Sequence, residues 1–211
     1  MTFSINYCEH AIVGNYFQPL NSISNIFYIL AAVLLYYFYK KSKIKDAKSK
    51  IFLSLIVLIG VCSFLFHLYK NQATFFFDVL PIGIFFISYV YFLIVNISEN
   101  KKAGLYWTII FLLIMGFGFI ITKSISENNL INEAQGYILT LLFFAGVIAY
   151  TYAKRISISK KLTIIFILFL LALIFRQIDL LLCNYIKTGT HFIWHLLSSI
   201  TMYYSIKVLY K

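Results

Sequence analysis

The sequence predicts an all-α membrane protein: a bundle of seven transmembrane helices, amino terminus outside or luminal and carboxy terminus cytoplasmic. Three observations carry this expectation. Of the 211 residues, 62% are hydrophobic and only 12% charged, against roughly 45–50% and 25% in soluble domains. The apolar residues gather into seven runs, each close to the roughly 20 residues that a helix needs to cross a hydrocarbon core about 30 Å thick. Lysine and arginine fall almost entirely between alternate runs, as the retention of positive loops in the cytoplasm requires. A water-soluble globular domain is excluded. So are linkers and collagen, with 9 Gly and 2 Pro, and disorder, with 19% aromatic residues. The net charge of +11 raises nucleic acid, yet no basic patch carries the aromatic and motif context of such a module, so no nucleic-acid partner is expected.

Residues 1–19 have no basic start and no small-residue cleavage site, so they read as an uncleaved leader rather than a signal peptide. The runs follow near 20–39, 51–69, 75–96, 105–123, 135–153, 162–184 and 191–209. They do not alternate apolar with polar residues, and they exceed the roughly 10 residues of a barrel strand, so they are helices. The breaks between them leave no room for a second domain, and 1–211 reads as one unit. The segments 40–50, 101–102, 154–161 and 207–211 hold 14 basic residues, while the opposite loops hold only 3, Lys70, Lys123 and Lys187. This sets the orientation. Arg176 is left inside the sixth run.

The remaining ionisable residues are few, and in lipid each is costly enough to be a functional candidate. Ser63 and His67 lie near the outer end of the second run, Asp78 at the outer start of the third, Asp179 toward the outer end of the sixth, and His191 and His195 at the outer start of the seventh. They share one depth. His191 and His195 stand four residues apart, one helical turn, which suits a metal and equally suits two histidines hydrogen-bonding at the headgroup level. His67 as a third imidazole favours zinc with an open fourth position, the catalytic arrangement. Ser63 faces the same side as His67; it either touches what the metal holds or bonds back to the Ile59 carbonyl. Asp78 is either a proton acceptor or a partner that orients a histidine, and Pro81 frees a carbonyl that lets the helix kink. Arg176 either pairs with Asp179 or meets an anionic head group. Cys62 reads as a small buried apolar residue, and His10 as a surface histidine.

These residues stand within a larger set: YCE at 7–9, NSISN at 21–25, SFLFH at 63–67, Asp78 with Pro81, RQIDLLLC at 176–183 and HFIWH at 191–195. In that order the set resembles the alkaline ceramidase family of seven-helix membrane hydrolases over nearly the whole chain. The resemblance implies a zinc site of His67, His191 and His195, with Ser63 and Asp78 as catalytic partners, that cleaves the amide bond of ceramide. It also implies a disulfide between Cys8 and Cys183, the alternative being three free thiols, and roles for Asn21, Asn25, Arg176 and Asp179 beside the substrate or the metal ligands. Where relatives carry Asp-Trp-Cys-Glu and a later Glu around calcium, this chain has Asn6, Tyr7, Cys8 and Glu9, with Gln18 at the later position, so that Glu9 is the one carboxylate; calcium, which prefers several charged oxygens, is expected to bind weakly at best. Arg176 replaces a tryptophan of the family.

The expected function is therefore zinc-dependent hydrolysis of ceramide or a related N-acyl lipid to fatty acid and amine, within the plasma or inner membrane if the source is bacterial, with the site near the outer face and a membrane lipid as partner. An adiponectin-receptor-like or haemolysin-like protein is the nearest rival, and the orientation argues against it. A metal or proton transporter would continue its polar residues to the cytoplasmic half, where the fourth and fifth runs offer almost none. A purely structural membrane protein would not need three histidines at one depth.

Overall fold

The structure is a computed structural model that describes residues 7–9, 17–125 and 129–210, with side chains of 121–136 left aside. His10, Asn6 and most of the leader lie outside the described residues. The described chain is all helical: α1 (Pro19–Ser24), α2 (Ile26–Lys41), α3 (Ala47–Tyr69), α4 (Gln72–Ser98), α5 (Lys101–Ile125), α6 (Asn129–Ala153), α7 (Ser159–Gln177), a 3₁₀ turn (Leu180–Leu182) and α8 (His191–Val208).

Local chemistry sets the helix ends. Asp46 accepts the Ser49 amide at 2.7 Å and caps α3, and Asn71 with Thr74 forms a reciprocal capping box at the start of α4. Between them Lys70 (φ 39°) closes α3 in the left-handed conformation. The tight turn from Tyr69 to Gln72 therefore returns the chain at once. Pro81 sits inside α4, which runs unbroken from Gln72 to Ser98. Two boundaries differ from the sequence expectation. The first run is broken at Asn25 into α1 and α2. The sixth ends at Gln177 instead of continuing to 184, because the chain turns through 180–182 and Asp179 leaves the helix for the connection to α8.

Successive helices pack on one another, and α2 also packs on α8, which closes the bundle, while α1 sits against α3 and α8. The main core gathers Tyr28 and Leu35 of α2, Phe52, Ile56 and Ile59 of α3, Phe85, Tyr89 and Leu93 of α4, and Ile206 of α8, all buried. Outward the surface is apolar: Tyr37, Leu113, Phe117, Ile120, Leu142 and Ile164 are each more than half exposed. A soluble monomer does not present such a surface. Four helical stretches, Pro19–Lys41, Ala47–Tyr69, Gln72–Ser98 and Lys101–Ile120, are long and apolar enough to cross a membrane, and Tyr137–Ala153 is a shorter apolar helix.

Candidate metal centre and its surroundings

The site forms where α3 ends, α8 begins and α1 crosses between them. His67 lies in the last turn of α3, and His191 and His195 in the first two turns of α8. All three are buried. One ligand nitrogen from each lies within 4.8 Å of the others, and the ring centroids are 4.8–5.1 Å apart. Three neutral imidazoles at that spacing suit a tetrahedral ion with one open position. The headgroup alternative for the α8 pair does not describe them, since neither faces outward.

The second nitrogen of two ligands is already engaged. His67 Nδ1 donates to Gln18 Oε1 at 2.7 Å, and His195 Nδ1 lies 2.7 Å from Ser24 Oγ. His191 Nδ1 is buried without a hydrogen-bond partner, and the Tyr7 ring lies over this histidine with centroids 3.9 Å apart. Two imidazoles held through one nitrogen each, with a third packed beside them, leave nitrogen donors of the kind that zinc takes. The residues fit zinc.

Ser63 lies one turn deeper than His67 on α3 and is buried. Asp78 is half-buried, and its Oδ1 is covered and unpartnered. It does not orient His67 or His195, because Gln18 and Ser24 hold those rings. Cys62, expected to be buried, is half-buried and free, since it turns off the packed face of α3. Lys70 is buried beside this end of α3, and burial pushes its ammonium down to about 8.

Asp179 has a different part from the one its position in the sixth run suggested. Its Oδ1 accepts the amides of Thr190 (2.7 Å) and His191 (2.9 Å), and its Oδ2 accepts the Cys8 amide (2.8 Å). It caps α8 and ties the leader to it. Arg176 lies over the Tyr137 and Trp194 rings, 5.0 and 5.9 Å from their centroids. Cys8 and Cys183 are bridged, with Cα atoms 5.3 Å apart.

Glu9 is buried and accepts the amides of Leu20 (2.6 Å) and Asn21 (2.9 Å). Because Pro19 has no N–H and the Gln18 amide donates to the His67 carbonyl at 3.1 Å, every early donor of α1 is satisfied. Both oxygens of Glu9 are thus committed to helix amides, and Gln18 Oε1 to a histidine. These residues do not fit calcium. Asn21 donates through Nδ2 to Gln18 Oε1 at 3.2 Å and accepts Ser24 Oγ at its carbonyl, and Asn25 Nδ2 also donates to that carbonyl; they build the α1–α2 corner. Sequence reasoning missed Gln18 and Ser24 as histidine partners. The available signal was the NSISN segment, whose small polar residues are unusual at the start of a membrane helix.

An apolar cavity opens between α4, α6, α7 and α8, lined by Ile82, Phe86, Phe169, Trp194, Ser198 and Met202 among others. Asp78, Ile82, Phe85 and Tyr89 share a face of α4, and Arg176 shares one of α7 with Phe169. The polar site and the apolar cavity therefore share faces of α4 and α7. A family model described as Ceramidase matches residues 1–210. No curated protein matches the chain.

Proposed function

The chain belongs to the ceramidase family, and from that premise we propose that it is a zinc-dependent amidohydrolase, cleaving ceramide or a related N-acyl lipid to fatty acid and amine inside the membrane. The observation that carries this reading is the buried convergence of His67, His191 and His195, with an apolar cavity between the helices lined by Trp194 and Ser198 of the helix that carries two of them. We read the bundle as seven spans, α1 and α2 forming the first, with the site toward the outer or luminal face and the lysine-rich loops in the cytoplasm.

Zinc, held by the three histidines, would supply Lewis acidity and lower the pKa of a water to about 7. The chain's own residues do the rest. The cavity takes an acyl chain and excludes water from it. Asp78 accepts a proton at its carboxylate from the attacking water and returns it to the leaving amine nitrogen. The Ser63 hydroxyl donates toward the oxygen that gains charge as the carbonyl carbon turns tetrahedral. Arg176, fixed on two aromatic faces, holds positive charge near this point.

The test is metal content together with fatty-acid release from a panel of N-acyl lipids. The wild type should carry one zinc per chain and release fatty acid. His191→Ala should lose both. Stoichiometric zinc in that variant would show that the ligands lie elsewhere.

A further inference from the structure

We propose that Gln18 and Ser24 are positioning residues of the metal centre: they hold the Nδ1 hydrogens of His67 and His195 and thereby aim both Nε2 lone pairs at the ion. This rests on the preceding reading only in taking the three histidines as a metal site.

The hydrogen positions follow from what each group can give. A serine hydroxyl has one hydrogen, and Ser24 Oγ directs it to the Asn21 carbonyl at 2.9 Å. Toward His195 Nδ1, at 2.7 Å, it is therefore the acceptor, so Nδ1 carries the proton. Gln18 Oε1 has no hydrogen to offer, so His67 Nδ1, also at 2.7 Å, must donate. Asn21 Nδ2 donates to the same oxygen from the other side at 3.2 Å. A neutral imidazole protonated at Nδ1 keeps its lone pair on Nε2, the form a metal binds.

Burial makes the arrangement firm. Gln18 is fully buried and Ser24 nearly so, so water does not compete for these bonds. One residue, Asn21, serves both: its side-chain amide meets Gln18 and its carbonyl meets Ser24. The platform is itself anchored by Glu9 on the Leu20 and Asn21 amides and by the Gln18 amide on the His67 carbonyl. Gln18, at the N-cap of α1, and Ser24, at its last position, thus orient ligands that belong to α3 and α8.

The experiment uses the full chain in detergent or nanodiscs and reads the metal, not turnover. Gln18→Leu and Ser24→Ala should each weaken zinc, measured by competition with a chromogenic chelator, by about 10- to 100-fold. Gln18→Glu, which offers only acceptors, should restore the affinity. The visible absorption bands of the cobalt-loaded protein should shift in Gln18→Leu and return in Gln18→Glu, while the melting temperature of the metal-free protein stays at the wild-type value. Wild-type zinc affinity and cobalt spectra in Gln18→Leu and Ser24→Ala would overturn the proposal. So would a Gln18→Leu protein whose metal-free form melts early and is not rescued by Glu, since that describes a merely structural residue. A wild type that binds zinc but cuts no N-acyl lipid would sink the hydrolase reading and leave this inference standing. A wild type that binds neither zinc nor cobalt would overturn both.

Discussion

In the proposed mechanism Asp78 and Ser63 act beside the histidine trio, and their roles separate by what each removal takes away. Asp78→Asn keeps size and polarity, so zinc should stay near one per chain while fatty-acid release falls about 10²- to 10⁴-fold. Loss of zinc in step with activity would instead make Asp78 a support of the ligands. Ser63→Ala removes a donor to the developing oxyanion, and a fall of about 10²- to 10³-fold in kcat is expected, with little change in KM. Glu9 and Gln18 are already engaged by helix amides and by His67. Adding calcium to the zinc-loaded protein should therefore leave turnover and melting temperature unchanged; a rise in either with calcium, and not with magnesium, would refute that.

Among the connections, the one between α7 and α8 is the most tightly specified. Gly189 has φ +68°, a left-handed conformation that a side chain disfavours by about 1–2 kcal/mol. A Cβ there would also run into the Asp179 carboxylate and the Cys8 Cβ. The carboxylate it would displace caps α8 at Thr190 and His191. Gly189→Ala should therefore lower the melting temperature and loosen zinc together, although it lies outside the metal trio. Wild-type metal affinity in this variant would show that the α8 cap does not matter to the ligands. The helix ends at α3 and α4 rest on side-chain caps close in sequence. The α1 and α8 starts rest on Glu9 and Asp179, which arrive from 11 residues away in both cases.

Over the whole molecule, the Cys8–Cys183 bridge closes a loop of sequence separation 175 and pins residues 7–9 over the metal centre. On the loop-entropy account such a bridge adds about 4–5 kcal/mol, less where the unfolded chain stays compact in lipid. Cys8→Ser should lower the unfolding midpoint and release the Tyr7 ring from His191, read as faster zinc loss to a chelator. Unchanged midpoint and zinc off-rate would mean that the leader is held without the bridge. The proposed orientation is tested by labelling single cysteines placed at 43 and 187 with an impermeant maleimide in sealed cells. Position 187 should react from outside, and 43 only after permeabilisation.

Composition and the spacing of apolar runs determined that this is a helical membrane protein, because lipid admits helices of a narrow length and penalises every stray charge. The same penalty made the site legible: with so few polar residues left in the runs, His67, His191, His195, Ser63 and Asp78 stood out by being there at all. Tertiary structure alone decided what surrounds them. Gln18 and Ser24 reach their histidines across 49 and 171 residues of sequence, and no local periodicity encodes such a pairing. Asp179 looked like part of a helix until the chain was seen to turn after Gln177 and hand its carboxylate to the next helix. Glu9 looked like a remnant of a cation site until its oxygens were seen on the amides of α1. A hydrogen bond depends on distance and angle between groups that only packing brings together, whereas the hydrophobic pattern that crosses a membrane is written along the chain itself.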